Sequence, residues 1–283
     1  MKKLLKSAFI IFFAIVLTFS FVACQGGSFL TESQIKSLGN QLGLSKNNED
    51  NFVNPTATIV LSFENNDNDY VVELTYELLF DKAPLTVNNF IALAKDGFYD
   101  NTVVSFTNSD YSLFGLYQLN NELQYEEKTS DFSIKGEFAA NGWFVNGTDK
   151  EDNAQHQLGC LGMYHLEQTK TENFYDSAST AFYMMWATDY SSTKTLSNDN
   201  YAVFAYIVSS KVKINDNTGG YYNGNGTSAG MDSHFVDIMK SLNTITKTDT
   251  NSNSLSKVPT NAITVTSITI SGAEGTANTS YRK

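Results

Sequence analysis

Short runs of β-branched and aromatic residues recur along this chain between polar, turn-forming segments, and this pattern constrains the fold more than any other feature. Thr58–Phe63 and Tyr70–Phe80 flank the turn-like cluster ENNDND and predict a hairpin. Further strands are predicted at Thr102–Phe106, Leu158–Tyr164, Thr180–Ala187, Ala202–Ser209 and Ile263–Ile270. Many short strands with few helices predict a mainly β fold, in which a closed β-barrel is capped by helices.

Two segments have the periodicity of amphipathic helices. In DKAPLTVNNFIALAKDGF, apolar residues recur at i, i+3, i+4 and i+7 from Val87 onwards. Pro84 suits the entrance of this helix, Thr86 is its predicted N-cap, and Gly97 is its predicted C′ residue. The second predicted helix is Asp232–Leu242, which also has one apolar face.

The first 23 residues differ from the rest of the chain and predict an export signal. Three lysines precede the apolar run Ala8–Val22, and the small residue Ala23 stands directly before Cys24. This arrangement resembles the lipobox of bacterial lipoproteins, in which the cysteine is lipidated after cleavage. An uncleaved membrane anchor and a plain secretory signal are the alternatives. We therefore expect a protein that is lipid-anchored at the cell membrane and faces outside the cytoplasm.

The remaining chain divides into a tether, a domain and a tail. Residues 24–55 are predicted to be a lipid-anchored tether that holds a short amphipathic helix at Thr31–Leu42. The globular domain is predicted to span residues 56–272, with a Gly/Asn-rich insertion at about 213–231. Residues 273–283 are predicted to be a disordered tail.

Charge and cysteine content exclude several classes of function. The net charge of −11 argues against nucleic-acid partners and against direct contact with anionic lipid. Cys160 is the only cysteine besides Cys24 and lies in an apolar context, which predicts a small core residue rather than a disulfide framework. His156, His165 and His234 lack the spacing of metal ligands, so we expect no metal and no cofactor.

Several segments resemble the cyclophilin-type peptidyl-prolyl cis-trans isomerases, in the order expected for that family. The first is VNNFIALAKDGFYDNT (Val87–Thr102), preceded by DKAP. The others are FSIKGEFAANG (Phe132–Gly142), HQLGCLGM (His156–Met163), DSASTAFYMM (Asp176–Met185), YAVFAYIVSS (Tyr201–Ser210) and VTSITI (Val265–Ile270). The resemblance covers about Thr56–Gly272. It implies a closed, eight-stranded antiparallel barrel with two capping helices and a core filled by side chains. It also implies that a peptide binds the outer face, with its proline in an apolar pocket.

The chemistry implied by the resemblance needs neither a nucleophile nor a proton shuttle. Rotation about a peptide bond meets a barrier of roughly 18–20 kcal/mol because of its partial double-bond character. Xaa-Pro bonds populate both isomers and interconvert slowly. A catalyst needs a donor that stabilises the twisted amide, together with an apolar clamp on the proline. The resemblance implies that this donor is an arginine in a Phe-His-Arg run, assisted by a glutamine several residues later.

This sequence departs from the family at those catalytic positions. The run YDNTVVSF places Phe106 at the arginine, DYSLFGLY places Phe114 at the glutamine, and Ala181 stands at a second family glutamine. The single arginine of the chain, Arg282, lies in the predicted tail. Because the loss of one preorganised donor costs about 10²–10³ in rate, we expect isomerase activity at least ~100-fold below that of a typical member.

Aromatic residues remain at or near the expected binding face, and they predict a groove for proline-containing or extended polypeptide segments. This predicted ligand-binding set is Phe106, Tyr111, Phe114, Tyr164, Phe182, Tyr183 and Tyr201. Each of these residues has the alternative of packing inward as part of the barrel core.

Three functions are compatible with these features. The first is an exported, lipid-anchored prolyl isomerase with weak or lost activity. The second is a non-catalytic surface binding or scaffold module that uses the aromatic groove. The third, a solute-binding lipoprotein of a transporter, requires two lobes and a hinge, and a single barrel argues against it.

Overall fold

The structure, a computed structural model, describes residues 29–128, 130–145, 152–166, 174–187, 196–197, 199–215, 221–222 and 230–283. The predicted signal peptide and the predicted lipidation site at Cys24 lie outside the described residues. Among the helices that the structure describes, none is long and apolar enough to cross a lipid bilayer.

Every strand predicted from the sequence contains or overlaps an observed strand. The strands are β1 (Thr56–Asn65), β2 (Asn68–Leu78), β3 (Thr102–Val103), β4 (Phe106–Thr107), β5 (Tyr111–Phe114), β6 (Tyr117–Leu119), β7 (Tyr125–Glu127), β8 (Leu161–Met163), β9 (Phe182–Met185), β10 (Val203–Asn215), β11 (Tyr221–Tyr222), β12 (Thr244–Thr248), β13 (Ser254–Pro259) and β14 (Thr264–Ser271). The helices are α1 (Glu32–Gln41), α2 (Pro84–Lys95) and α3 (Ser233–Ser241), and a 3₁₀ turn spans Ala139–Asn141.

The main sheet curls round and closes on itself as a ring of eight antiparallel strands. The hydrogen-bonded order of the whole sheet is β4-β5-β9-β8-β10-β2-β1-β14-β3-β6-β7, with β11 beside β10. The short strands β3 and β4 are consecutive in the chain and are separated by Val104 and Ser105, so they complete the barrel as one segment. The amide of Val104 donates to Ile263 O (2.9 Å), next to β14, whereas the amide of Ser105 donates to Leu113 O (3.1 Å) in β5. Two adjacent residues thus bond to different strands of the barrel and bring them together. The predicted mainly β fold with an eight-stranded barrel is confirmed.

The barrel interior is filled by the inward-facing side chains of the strands. In β1 the buried residues alternate with partly exposed ones, as expected for a strand with one face on a core. The two predicted helices cover this core through phenylalanines: Phe90 of α2 lies 5.0 Å from Phe204, and Phe235 of α3 lies 5.7 Å from Trp186, between ring centres. Cys160 is buried, as predicted, and burial raises the pKa of its thiol to about 12.

A buried carboxylate, rather than the predicted N-cap, holds the start of α2. Thr86 lies inside the helix, and Ala83 takes the N-cap position without a side-chain cap. Glu137 accepts hydrogen bonds from the amides of Leu85 (3.0 Å) and Thr86 (2.7 Å) and from the Thr86 hydroxyl (2.7 Å). The carboxylate therefore satisfies amides that the helix itself leaves unpaired. At the other end, Gly97 has a φ of +67°, as predicted for the C′ residue.

The described part of the predicted tether packs on the barrel. Helix α1 forms as predicted, with Thr31 and Gln34 in a capping box, and its Leu38 is fully buried. Beyond the helix, the ring of Phe52 lies 5.6 Å from that of Phe80. From residue 29 onwards the segment thus has its own apolar contacts with the domain, which the polar composition of this stretch did not reveal.

The segment 273–283 also differs from the disordered tail expected from the sequence. Lys283 exchanges two backbone hydrogen bonds with Ser133 (2.9 and 3.1 Å). The guanidinium of Arg282 donates to Asn89 Oδ1 (3.0 Å) and lies 3.9 Å from the centre of the Phe132 ring. These partners are distant in sequence, so a composition argument about the tail alone does not detect them.

The hairpin β12–β13 was not predicted, because its residues are mostly threonine, serine, lysine and asparagine. It stands between α3 and β14 and forms a separate two-stranded sheet. Of the predicted insertion at 213–231, the structure describes the end of β10, the paired β11 and residues 230–231.

The buried Glu137 is expected to make stability depend on pH. Burial raises the pKa of Glu137 to about 7, although its three hydrogen bonds act in the opposite direction. Between the ordinary value of 4.5 and about 7, the folded chain keeps a proton that the unfolded chain has lost. The free energy of unfolding should therefore fall as pH rises through this range, by up to about 3 kcal/mol.

Urea unfolding of the wild type and of Glu137→Gln at pH 5 and pH 8 measures this effect. The amide does not titrate, so the variant should lose most of the pH slope. Glu122→Gln, at an exposed position, is the matched control and should keep the slope of the wild type. An unchanged slope in Glu137→Gln would show that another group is responsible.

Candidate functional site

An aromatic cluster covers the outer face of the barrel where β4, β5 and β9 pair. Phe106 is in register with Leu113, and Leu113 with Tyr183, so the three side chains stand on the same face of the sheet. The ring of Tyr111 lies 5.2 Å from that of Phe106 and 6.0 Å from that of Tyr183. We call this surface the aromatic face, and it lies where the resemblance places peptide binding.

Two further tyrosines extend the aromatic face. The ring of Tyr201 lies 5.9 Å from Tyr183 and 6.4 Å from Tyr164. Ala181 and Leu113 belong to the same hydrophobic cluster. The structure therefore brings together six of the residues singled out from the sequence, which are Phe106, Tyr111, Tyr164, Ala181, Tyr183 and Tyr201.

Two residues of the predicted set are not on this face. Phe114 and Phe182 are opposite each other on β5 and β9, stack at 5.2 Å, and are fully buried in the barrel core. Because side chains alternate along a strand, Leu113 faces outward and Phe114 inward. The prediction that Phe114 and Phe182 line the groove is wrong, and Leu113 is the residue that stands beside Phe106.

The floor of the aromatic face is rigid and buried. Tyr183 is fully buried, its hydroxyl lies 2.5 Å from His156 Nε2, and its ring lies directly on Gly162. A Cβ atom at Gly162 would approach the Tyr183 ring to 2.0 Å, so only glycine fits beneath it. Phe106 and Tyr111 are only partly buried and form the accessible rim.

His165 supports the face from behind Tyr201. Its ring stacks on Tyr201 at 4.3 Å and on Phe138 at 5.1 Å. Nδ1 lies 2.6 Å from Leu166 O and Nε2 lies 2.7 Å from Asn200 O, so each ring nitrogen faces a carbonyl oxygen. The imidazole therefore lies between two loop segments, donates to one of these carbonyl oxygens, and supports the aromatic face by stacking.

Few polar groups are present at the expected catalytic positions. Ser105 is buried, and its hydroxyl has no hydrogen-bond partner in the part of the chain that the structure describes. Arg282 is engaged with Asn89 and Phe132. Lys257 is the one cation recorded over a ring of the aromatic face within the described ranges, with Nζ 5.7 Å from the centre of the Phe106 ring. Lys257 could not be placed at this site from the sequence, because about half of the chain separates it from Phe106.

Comparison with known families identifies the family to which this chain belongs. Residues 60–217, more than half of the chain, match the family described as cyclophilin type peptidyl-prolyl cis-trans isomerase/CLD. The chain belongs to the cyclophilin family. None of the curated proteins compared with this cyclophilin matches it.

Solved cyclophilin structures are similar to this cyclophilin at low identity. A cyclophilin type peptidyl-prolyl cis-trans isomerase from Cryptosporidium parvum is 14% identical, with a TM-score of 0.43, over 77% of this chain and 97% of that chain. The Mimivirus cyclophilin is 14% identical, with a TM-score of 0.41, over 80% and 95%. A cyclophilin from Hirschia baltica is 12% identical, with a TM-score of 0.39, over 86% and 81%.

The opposite orientations of Phe106 and Phe114 can be tested by replacing each of them with glutamine in a separate variant. Phe114→Gln places an amide in the closed core, and we expect it to lower the free energy of unfolding by about 3 kcal/mol or more. Phe106→Gln leaves the amide accessible to water, and we expect a loss below about 1 kcal/mol. Urea unfolding measures both variants, and equal losses would contradict the assigned faces.

Proposed function

We propose that this cyclophilin binds proline-containing or extended polypeptide segments on its aromatic face, and that its isomerase activity is weak or lost. The observation that carries the proposal is the pairing of Phe106 with Leu113 on the outer face. The resemblance places the catalytic arginine at Phe106, and the strand register puts an aliphatic side chain beside it.

The physical argument separates binding from catalysis. Tyrosine and phenylalanine rings offer large apolar surfaces to a proline ring, and the partly buried rim of Phe106 and Tyr111 is accessible to a ligand. Stabilising a twisted amide needs a fixed donor close to the rotating bond. The side chains of Phe106 and Leu113 supply no such donor, so we expect ligand binding to be retained and rate acceleration to be weak or lost.

The alternative proposal is a non-catalytic binding or scaffold module on the cell surface. The fully buried Tyr183 supports this alternative, because it fills the floor of the face with a fixed ring. The two proposals share the same ligand class and differ only in whether a measurable rate remains.

The proposed location is the outer side of the cell membrane, through lipid on Cys24. The leader sequence supports this location, since its apolar run is followed by the small residue Ala23 directly before the cysteine. Replacement of Cys24 by serine should move the protein expressed in a bacterium from the membrane fraction to the soluble exported fraction. Cys160→Ser is the control and should leave the distribution unchanged. Retention of the Cys24 variant in the membrane would favour an uncleaved anchor.

Isomerase activity is tested with the full chain and a short Ala-Pro peptide, a ligand of the kind used with the Cryptosporidium parvum protein, which was solved in the presence of the dipeptide Ala-Pro. We expect a cis-to-trans rate constant at least ~100-fold below that of an ordinary cyclophilin measured in parallel. A comparable rate would overturn the proposal of weak or lost catalysis. Peptide binding without a measurable acceleration of cis-to-trans isomerisation would favour the non-catalytic module.

A further inference from the structure

A lysine from the unpredicted hairpin β12–β13 lies over the aromatic face. The ammonium of Lys257 is 5.7 Å from the centre of the Phe106 ring, which forms part of the accessible rim. Lys257 is exposed, and within the described residues it forms no ion pair with a carboxylate. It therefore presents a full positive charge at the edge of an apolar surface, in a chain whose net charge is −11.

The hairpin is fixed on the barrel, so the position of Lys257 is defined. The next residue, Val258, is fully buried and clusters with Val103 and Tyr117. At the turn of the hairpin, the amide of Thr250 donates to Tyr125 O (2.9 Å). Both ends of the hairpin thus contact the barrel, through β3 and β6 at Val258 and through β7 at Thr250.

A β-bulge in β13 sets the orientation of Lys257 relative to a regular strand. Ile245 pairs with Val258 and Lys247 pairs with Leu255, so β13 carries an extra residue between these pairs. Lys257 lies in this bulge with a φ of +55°, a conformation that residues with a Cβ atom rarely adopt. Bulges reorient side chains relative to a regular strand and are common beside functional sites.

We propose that Lys257 contacts the bound peptide and selects segments that carry an acidic side chain next to the proline. The inference rests on the proposed peptide-binding function and adds the charge of the preferred ligand. A ring face attracts the ammonium without neutralising it, so the hydrogen-bond donors of Lys257 remain available to a ligand. An acidic peptide is repelled by the net charge of the chain elsewhere, and Lys257 provides a local site at which its carboxylate is accepted.

The test compares three peptides that are capped at both ends, with the sequences Ala-Glu-Pro-Ala, Ala-Gln-Pro-Ala and Ala-Lys-Pro-Ala. NMR titration of the full chain measures each Kd. We expect the wild type to bind the glutamate peptide about twofold to fivefold more tightly than the lysine peptide. This preference should shrink between about 0.01 M and about 1 M salt, because the interacting charges are exposed.

The variant Lys257→Glu reverses the charge at this position and should invert or abolish the preference for the glutamate peptide. The matched control is Lys247→Glu, which makes the same charge change on the same hairpin, where the ammonium lies 5.8 Å from the Tyr125 ring. Lys257→Gln serves as a second variant in case glutamate at position 257 disturbs the hairpin, and it should lose the preference for the glutamate peptide. Thermal unfolding shows that the variants compared are folded.

The outcomes separate the two proposals. If the wild type prefers the glutamate peptide and the Lys257 variants keep that preference to the same extent as Lys247→Glu, the inference about Lys257 is overturned and peptide binding stands. Equal binding of the three peptides by the wild type also overturns the inference alone. If the wild type binds none of them, the proposed function fails, and the role of Lys257 fails with it.

Discussion

The closure of the barrel at Val104 and Ser105 is the constraint on which the rest of the structure depends. Two consecutive amides donate in opposite directions, one to Ile263 next to β14 and one to Leu113 in β5. The same segment therefore pairs with β14 through β3 and with β5 through β4, which completes the barrel. Because the register is fixed on both sides, the next residue, Phe106, stands outward beside Leu113. The location of the aromatic face follows from backbone hydrogen bonds rather than from any contact among the rings.

The aromatic face combines a rigid floor with an accessible rim. Tyr183 is held by His156 and Gly162, and the ring of His165 stacks behind Tyr201 with its two nitrogens close to carbonyl oxygens. Such supports restrict the rotamers of the residues above them, which is what a preformed binding surface requires. Glu137 has a comparable role at α2, where it replaces the missing side-chain cap. The polar groups of this part of the molecule thus organise the scaffold, and the exposed surface above them is largely apolar.

The sequence was sufficient for the barrel, for both capping helices and for most of the aromatic face. These features depend on local periodicity and on family-like motifs, which are readable in a single chain. The assignment of Phe114 failed because a shift of one residue in a strand moves a side chain to the other face. The capping by Glu137, the packing of Arg282 on Phe132 and the approach of Lys257 to Phe106 were not predictable, since each joins residues far apart in sequence.

The pairing of β1 with β14 has a consequence for how the chain reaches its folded state. Thr56 is opposite Ser271, so the barrel is complete only when its last strand has paired with its first. Closing such a long segment has a large entropic cost, and nonlocal pairing of this kind is associated with slow folding. Until β14 arrives, one long edge of β1 has no partner, and the half-finished sheet presents backbone groups to any neighbouring strand. Nearly the whole domain must therefore be available before its first hairpin is protected on both sides.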